Sequence, residues 1–243
     1  MKDETEDAQR YFDHEYTSRG FGAQRRFPNE ELCRFMGRNY FALTQQERRN
    51  TRILEVGCGA GANLWMIARE GFDAVGIDLS APAIKLCEQM LESYQTCAEL
   101  HVGDMTQLPI ENASVDAVVD VFSSHCLTAQ QGDAFLQDVV RVLKPGGKFF
   151  SYFPSTRSDT WTDINHPDPE ARQRVDNDTL NGLHRVTGPF CGNLHPFRFL
   201  HPRRYRSLVD SHGLEVRYCE TLGRSYQNGQ EYFEFVVLEA AAR

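Results

Sequence analysis

Three glycines at alternate positions, Gly57, Gly59 and Gly61, close the run Ile53-Leu54-Glu55-Val56-Gly57-Cys58-Gly59-Ala60-Gly61-Ala62-Asn63. An apolar strand that ends in such glycines turns sharply into the next helix. The missing side chains let a ligand reach main-chain N–H groups. A loop of this kind suits a ligand with a nucleoside and a polar tail. A second acid, Asp78, closes the run Asp73-Ala74-Val75-Gly76-Ile77-Asp78, 23 residues after Glu55 (78 − 55). An acid at the tip of a second strand, about 20 residues past the glycines, is placed to accept hydrogen bonds from ribose hydroxyls.

NAD-binding Rossmann domains and S-adenosylmethionine-dependent methyltransferases share that arrangement, and Gly57, Gly59 and Ala62 satisfy the loose dinucleotide pattern. Three features separate the two. Glu55 is an acid where dinucleotide domains usually carry an apolar residue. Val102-Gly103-Asp104-Met105, followed by Leu108-Pro109, puts an acid at a third strand end, suited to the adenine amino group. Arg141-Val142-Leu143-Lys144-Pro145-Gly146-Gly147-Lys148 reads as a helix and a Pro-Gly-Gly turn before a fifth strand. In order and spacing, residues 51–152 resemble the class I S-adenosylmethionine-dependent methyltransferases.

The resemblance implies a cofactor and a set of roles. Gly57, Cys58, Gly59 and Gly61 would line its methionine and ribose, and Glu55 would orient the loop or reach the amino group. Asp78 would take the ribose hydroxyls. Leu79 and Met105 would sandwich the adenine beside Gly103, and Asp104 would accept from its amine. Asn63 either supports the loop or begins the helix. The fourth strand ends in Asp120-Val121-Phe122-Ser123-Ser124-His125. Strand ends near the topological switch face the ligand crevice, which makes Asp120 and Phe122 candidates for the cofactor wall and His125 for the acceptor side. His125 is also the candidate general base, since histidine titrates in the right range; capping the next loop is the alternative. Methyl transfer is an in-line displacement, so alignment supplies most of the catalysis. The Asn/Asp-Pro-Pro-aromatic motif of enzymes that methylate DNA bases or glutamine amides does not occur at this strand end.

The elements that must position these residues alternate. Strands are expected at 51–56, 73–78, 98–102, 114–121 and 147–153, with helices at 62–70, 80–94 and 129–143. Ser80 caps the second helix, with Pro82 in its first turn. Helix 202–212 ends at Gly213, and strands near 214–222 and 231–239 are joined by Gln227-Asn228-Gly229-Gln230. The fold class is α/β: a doubly wound, Rossmann-like seven-stranded sheet. By resemblance its order is 3-2-1-4-5-7-6, with the last strand antiparallel. A dinucleotide fold would continue instead with another parallel half.

Within one domain, 51–153 is the cofactor-binding core and 201–243 closes it. Residues 1–50 are expected to form a helical cap over the cofactor mouth, and 154–200 a substrate-binding insertion. Acceptor identity should reside in these two additions, with Tyr16, His125, Trp161, His195 and Arg198 as candidates. An arginine projecting into the pocket would suit an acceptor carrying carboxylate or phosphate. His166, His184, His195 and His201 match no compact ligand spacing, and no metal is expected.

A net charge of −8 over 243 residues argues against a polyanion binder and so against nucleic acid as partner. No apolar run approaches the ~20 residues of a membrane span, and Met1-Lys2-Asp3-Glu4 does not open like a signal peptide. Seven scattered cysteines without a C-x-x-C pair fit a reducing cytosol, giving a cytoplasmic expectation. The chain is expected to act on a small molecule, a sugar or secondary metabolite, at oxygen or nitrogen, as monomer or homodimer. An RNA or protein methyltransferase, or a cofactor-binding module without catalysis, are the alternatives.

Overall fold

In the computed structural model, residues 4–162, 173–183, 193 and 195–243 are described. Three helices come first: α1 (Glu4–Arg19), α2 (Glu30–Asn39) and α3 (Gln45–Arg49). The alternating core follows with β1 (Arg52–Val56), α4 (Leu64–Arg69), β2 (Asp73–Asp78), α5 (Ala81–Ser93) and β3 (Glu99–Val102). It continues through β4 (Val115–Val121), α6 (Ala129–Val142) and β5 (Leu143–Pro154). Short α7 (Asp159–Thr162) and a two-strand ribbon, β6 (Thr179–Leu180) with β7 (Phe197–Arg198), lie before α8 (Pro202–Ser211). The hairpin β8 (Leu214–Tyr226) and β9 (Glu231–Ala242) ends the chain.

Seven strands form one sheet in the order β3-β2-β1-β4-β5-β9-β8, with β9 antiparallel to both neighbours. The expected order is obtained once the ribbon, which lies outside the sheet, is passed over. Consecutive β1 residues point to opposite faces, and Ile53 and Leu54 are both fully buried. One face packs against α2 and α4 through Phe35, Leu64, Ile67 and Phe150. The other packs against α6 and α8 through Phe135, Val139, Phe149 and Val209. Each such side chain contributes roughly 1.5–3 kcal/mol of burial. Among the described residues, no helix is long and apolar enough to cross a membrane.

Caps set where the helices point. Asn29 accepts from the Glu31 and Leu32 N–H groups. Ser80 accepts from Ala83, and Thr128 forms a capping box with Gln131. Each cap contributes about 1 kcal/mol. Two of the boundaries that differ from expectation do so for local reasons. Leu143 already pairs with Val115, and Lys144 to Gly147 bulge out before Lys148 pairs with Ala117, so β5 begins ahead of the Pro-Gly-Gly turn. Helix α4 starts at Leu64 because Asn63 spends its side chain elsewhere.

Candidate functional site

Strand order reverses between β1 and β4, and the crevice at their carboxyl ends is where the glycine-rich loop turns. Gly57 and Gly59 have φ of +62° and +54°, values that only glycine adopts freely. A Cβ on Gly57 would lie 2.3 Å from Ser123 Cβ, and one on Gly59 would lie 2.1 Å from Gln24 Oε1 and 2.5 Å from the Tyr16 hydroxyl. The loop is therefore wedged between the end of β4 and the amino-terminal segment. Gly61 turns away toward Cys87 of α5.

Asp78 ties the end of β2 to this loop. One carboxylate oxygen accepts from the Gly59 N–H at 2.8 Å and the other from the Ser80 N–H at 2.9 Å. Burial raises its pKa to about 6, against the pull of those bonds. Glu55 lies behind the loop, 1% exposed. Its Oε1 accepts from Asn63 Nδ2 at 2.6 Å, while Oε2 is buried without a partner among the described residues. Burial pushes Glu55 up to about 8, despite Asn63 and the nearby Arg25 guanidinium. Asn63 Oδ1 in turn accepts from the Asn29 N–H at 2.8 Å and from Arg25 at 3.3 Å. Its side chain thus knits loop to cap rather than capping α4.

Strand β4 ends in a buried knot. Asp120 Oδ1 accepts from the Ser123 hydroxyl and from the N–H groups of Ser123 and Ser124. Oδ2 accepts from the hydroxyls of Ser124 and Ser151, and Tyr205 donates to Ser151 at 2.7 Å. This knot holds Phe122 at φ +57°, strained for a residue with a Cβ. The Phe122 ring stacks on His125 with centroids 4.2 Å apart.

Gly57, Asp78, Leu79, Gly103, Asp104 and Met105 line one end of a cavity of about 530 Å³. Phe122, His125, His195 and Phe197 line the other, and Tyr11, Phe12 and Tyr16 of α1 close it. Its size and mixed lining are those of a small-molecule site. Among the bonds that hold helix α1 in place are Gln9 to the Leu79 carbonyl, Tyr16 to Gln24, and Gln131 of α6 to Thr5. Gln24 Oε1 also accepts from the Ala60 N–H at 2.8 Å.

Both histidines are neutral. Burial lowers His125 well below its ordinary value, with His195 nearby adding to the effect, and lowers His195 to about 4. His125 Nε2 lies 3.6 Å from Cys126 Sγ, whereas both ring nitrogens of His195 are engaged, with Asn193 and the Pro196 carbonyl. Burial pushes the Cys126 thiol far up, which leaves it an unreactive lining group.

Several expected residues stand elsewhere. Glu55, Cys58, Gly59, Gly61, Asn63 and Asp120 sit behind the cavity wall, not on it. Asp120, expected on the cofactor wall, is fully buried beneath it as the acceptor for β4's turn. Trp161 packs on Phe199 and under Arg174, away from the cavity. Arg198 is 4% exposed, beside Asp178 and over Gly132 of α6. A buried ion pair, not a pocket cation, occupies that position. His201 caps α8, and His166 and His184 lie outside the described residues. Gln24, Ser123, Gln131 and Asn193 join the site without any signal of spacing or motif.

Residues 53–147 match a family described as a methyltransferase domain. A SAM-dependent methyltransferase of Methanosarcina mazei superposes with a TM-score of 0.67 at 20% identity, covering 85% of this chain and 96% of that one. Residues 53–147 thus carry a methyltransferase domain, within a fold shared with S-adenosylmethionine-dependent methyltransferases. A phthiotriol/phenolphthiotriol dimycocerosates methyltransferase of Mycobacterium leprae is 36% identical over 122 residues, 49% of this chain and 44% of that protein. A fatty-acid O-methyltransferase of Mycolicibacterium smegmatis is 36% identical over 124 residues, 50% and 44% respectively. The chain thus spans less than half the length of these curated relatives. The cofactor of such a methyltransferase domain is S-adenosylmethionine, and the residues present fit it: a cradle at Gly57 that a Cβ would fill, a strand-end acid in the wall, and a buried carboxylate oxygen behind the loop that still lacks a donor.

Proposed function

We propose that the protein transfers a methyl group from S-adenosylmethionine to an oxygen or nitrogen of a small, apolar, lipid-like molecule. The observation that carries this reading is the single cavity, which joins the Gly57–Asp78–Asp104 end to an aromatic chamber at Phe122, His125 and Phe197. The relatives named for fatty-acid and dimycocerosate substrates point the same way, which favours a lipid-like acceptor over the expected sugar or secondary metabolite. Of the two arginines among the lining residues, Arg19 is paired with Glu15 and Arg25 donates to Asn63 at 3.3 Å.

When bound, S-adenosylmethionine supplies a methyl group on a sulfonium, open to in-line displacement by a lone pair. Asp78 would hold the ribose, Leu79 and Met105 the adenine faces, Asp104 the adenine amine, and Glu55 the methionine ammonium through the loop. Phe122 and Phe197 flank the acceptor, while α1 excludes water; alignment of this kind lowers barriers by up to ~7–11 kcal/mol. His125, neutral and buried, would take the acceptor's proton, though its lowered basicity makes it a modest base. A reducing cytosol suits the free thiols among the described residues.

Calorimetry decides the cofactor, and methyl-labelled S-adenosylmethionine the transfer. S-adenosylhomocysteine should bind and NADH should not, and label should pass to long-chain alcohols or acids. Uptake of NADH with no heat from S-adenosylhomocysteine would reject the proposal.

A further inference from the structure

Two buried polar atoms on the acceptor side of the cavity have no hydrogen-bond partner among the described residues: Asn193 Oδ1 and His125 Nδ1. Both residues line the cavity, at 6% and 5% exposure. A chain of bonds fixes which end of the Asn193 amide is which. The Pro196 carbonyl can only accept, so His195 Nδ1, 2.9 Å away, carries the ring proton. That ring is neutral, which leaves Nε2 as an acceptor. Asn193 Nδ2, 2.8 Å from Nε2, is therefore the donor. A flipped amide would set its oxygen against another acceptor. The atom left over is a carbonyl oxygen, held in place and lacking a donor.

Such an orphan is costly unless a ligand answers it. Resting on the methyltransferase reading, we infer that Asn193 Oδ1 accepts a hydrogen bond from a hydroxyl of the methyl acceptor, so that the site selects neutral alcohols over carboxylates. A hydroxyl supplies the donor that Oδ1 lacks, and turns that one proton toward His125 only as the methyl is transferred. A carboxylate offers no donor and would set an anion against the carbonyl oxygen. An ester or ether offers no donor either. Phe122 and Phe197, packed around His125 at centroid distances of 4.2 and 4.4 Å, keep water from competing.

Titrating the S-adenosylhomocysteine-loaded protein with 1-octanol, methyl octanoate and octanoate tests this. The alcohol should bind about tenfold more tightly than either of the others. Asn193→Leu should abolish that preference while leaving S-adenosylhomocysteine affinity unchanged. Equal binding of the three by the wild-type protein, tightest binding of octanoate, or a preference retained in Asn193→Leu would overturn the inference. The wild-type comparison stands even if the variant fails to fold. Absence of S-adenosylhomocysteine binding would instead remove the methyltransferase reading, and this inference with it.

Discussion

Binding of the cofactor should expel a proton from Glu55. In the free protein its pKa is pushed up to about 8 by burial, so at pH 7 about nine-tenths of molecules carry the proton. In the proposed arrangement the α-ammonium of the cofactor would bring positive charge near Glu55 across the loop, which would favour the carboxylate. A return to the ordinary value of 4.5 would release about 0.9 proton per cofactor at pH 7 and about 0.5 at pH 8. Asp78, raised only to about 6, adds at most about 0.1 at pH 7. Titration calorimetry with S-adenosylhomocysteine in phosphate and in Tris reads this number, as the slope of apparent enthalpy against buffer ionisation enthalpy. Glu55→Gln keeps an acceptor for Asn63 Nδ2 and should bring the slope close to that of Asp78 alone. The same shift has a signed effect on stability. A carboxyl whose folded pKa is raised stabilises the folded state below its unfolded value, and that contribution is lost as pH climbs through the folded value. The free protein should therefore lose up to about 5 kcal/mol between pH 4.5 and pH 8, and Glu55→Gln should flatten its melting temperature across that range. A slope near zero in the wild-type protein, or one unchanged in Glu55→Gln, would refute the coupling between Glu55 and the cofactor.

Gly59→Ala should cut S-adenosylhomocysteine affinity and lower the melting temperature by at least ~1 kcal/mol equivalent, because its Cβ meets Gln24 and the Tyr16 hydroxyl at φ +54°; a variant indistinguishable in both would mean that the amino-terminal segment does not press on the loop. Asp120→Asn puts an amide where three groups donate to Oδ1 and two hydroxyls to Oδ2. It should cost ~2–4 kcal/mol in urea unfolding, and a loss under 1 kcal/mol would show the knot to be dispensable. His125→Ala should slow turnover roughly 10²-fold with cofactor affinity preserved if the imidazole takes the acceptor's proton, whereas an unaltered rate would remove it as base.

The glycine-rich loop and the strand-end acids around it were legible because backbone conformation governs them. Positive φ at Gly57 and Gly59 demands glycine, and acids at strand ends recur at the spacing of βαβ units, so residue types alone mark Glu55, Asp78 and Asp104. The sheet order, with β9 antiparallel, came from the family resemblance and not from that alternation. Asp120 was legible as a strand-end acid but not in its direction, since only the fold brings Ser151 and the 3₁₀ turn of Ser124 onto its two oxygens. The acceptor side obeys no period. Helix α1 buries only Ala8 and Tyr16 among its apolar residues, too thin a stripe to announce which face meets the cavity. Arg198 looks like a pocket cation in the chain, yet Asp178, 20 residues earlier (198 − 178), lies beside it in the fold. Asn193 carries no signal at all; its importance arises because the Pro196 carbonyl sets the tautomer of His195, and that ring in turn sets the amide. A ligand gripped by main-chain geometry leaves its mark on which residues can stand in the loop. One gripped by a relay of side chains leaves its mark only where the relay ends, in an oxygen with nothing to bind, and there the identity of the acceptor has to be sought.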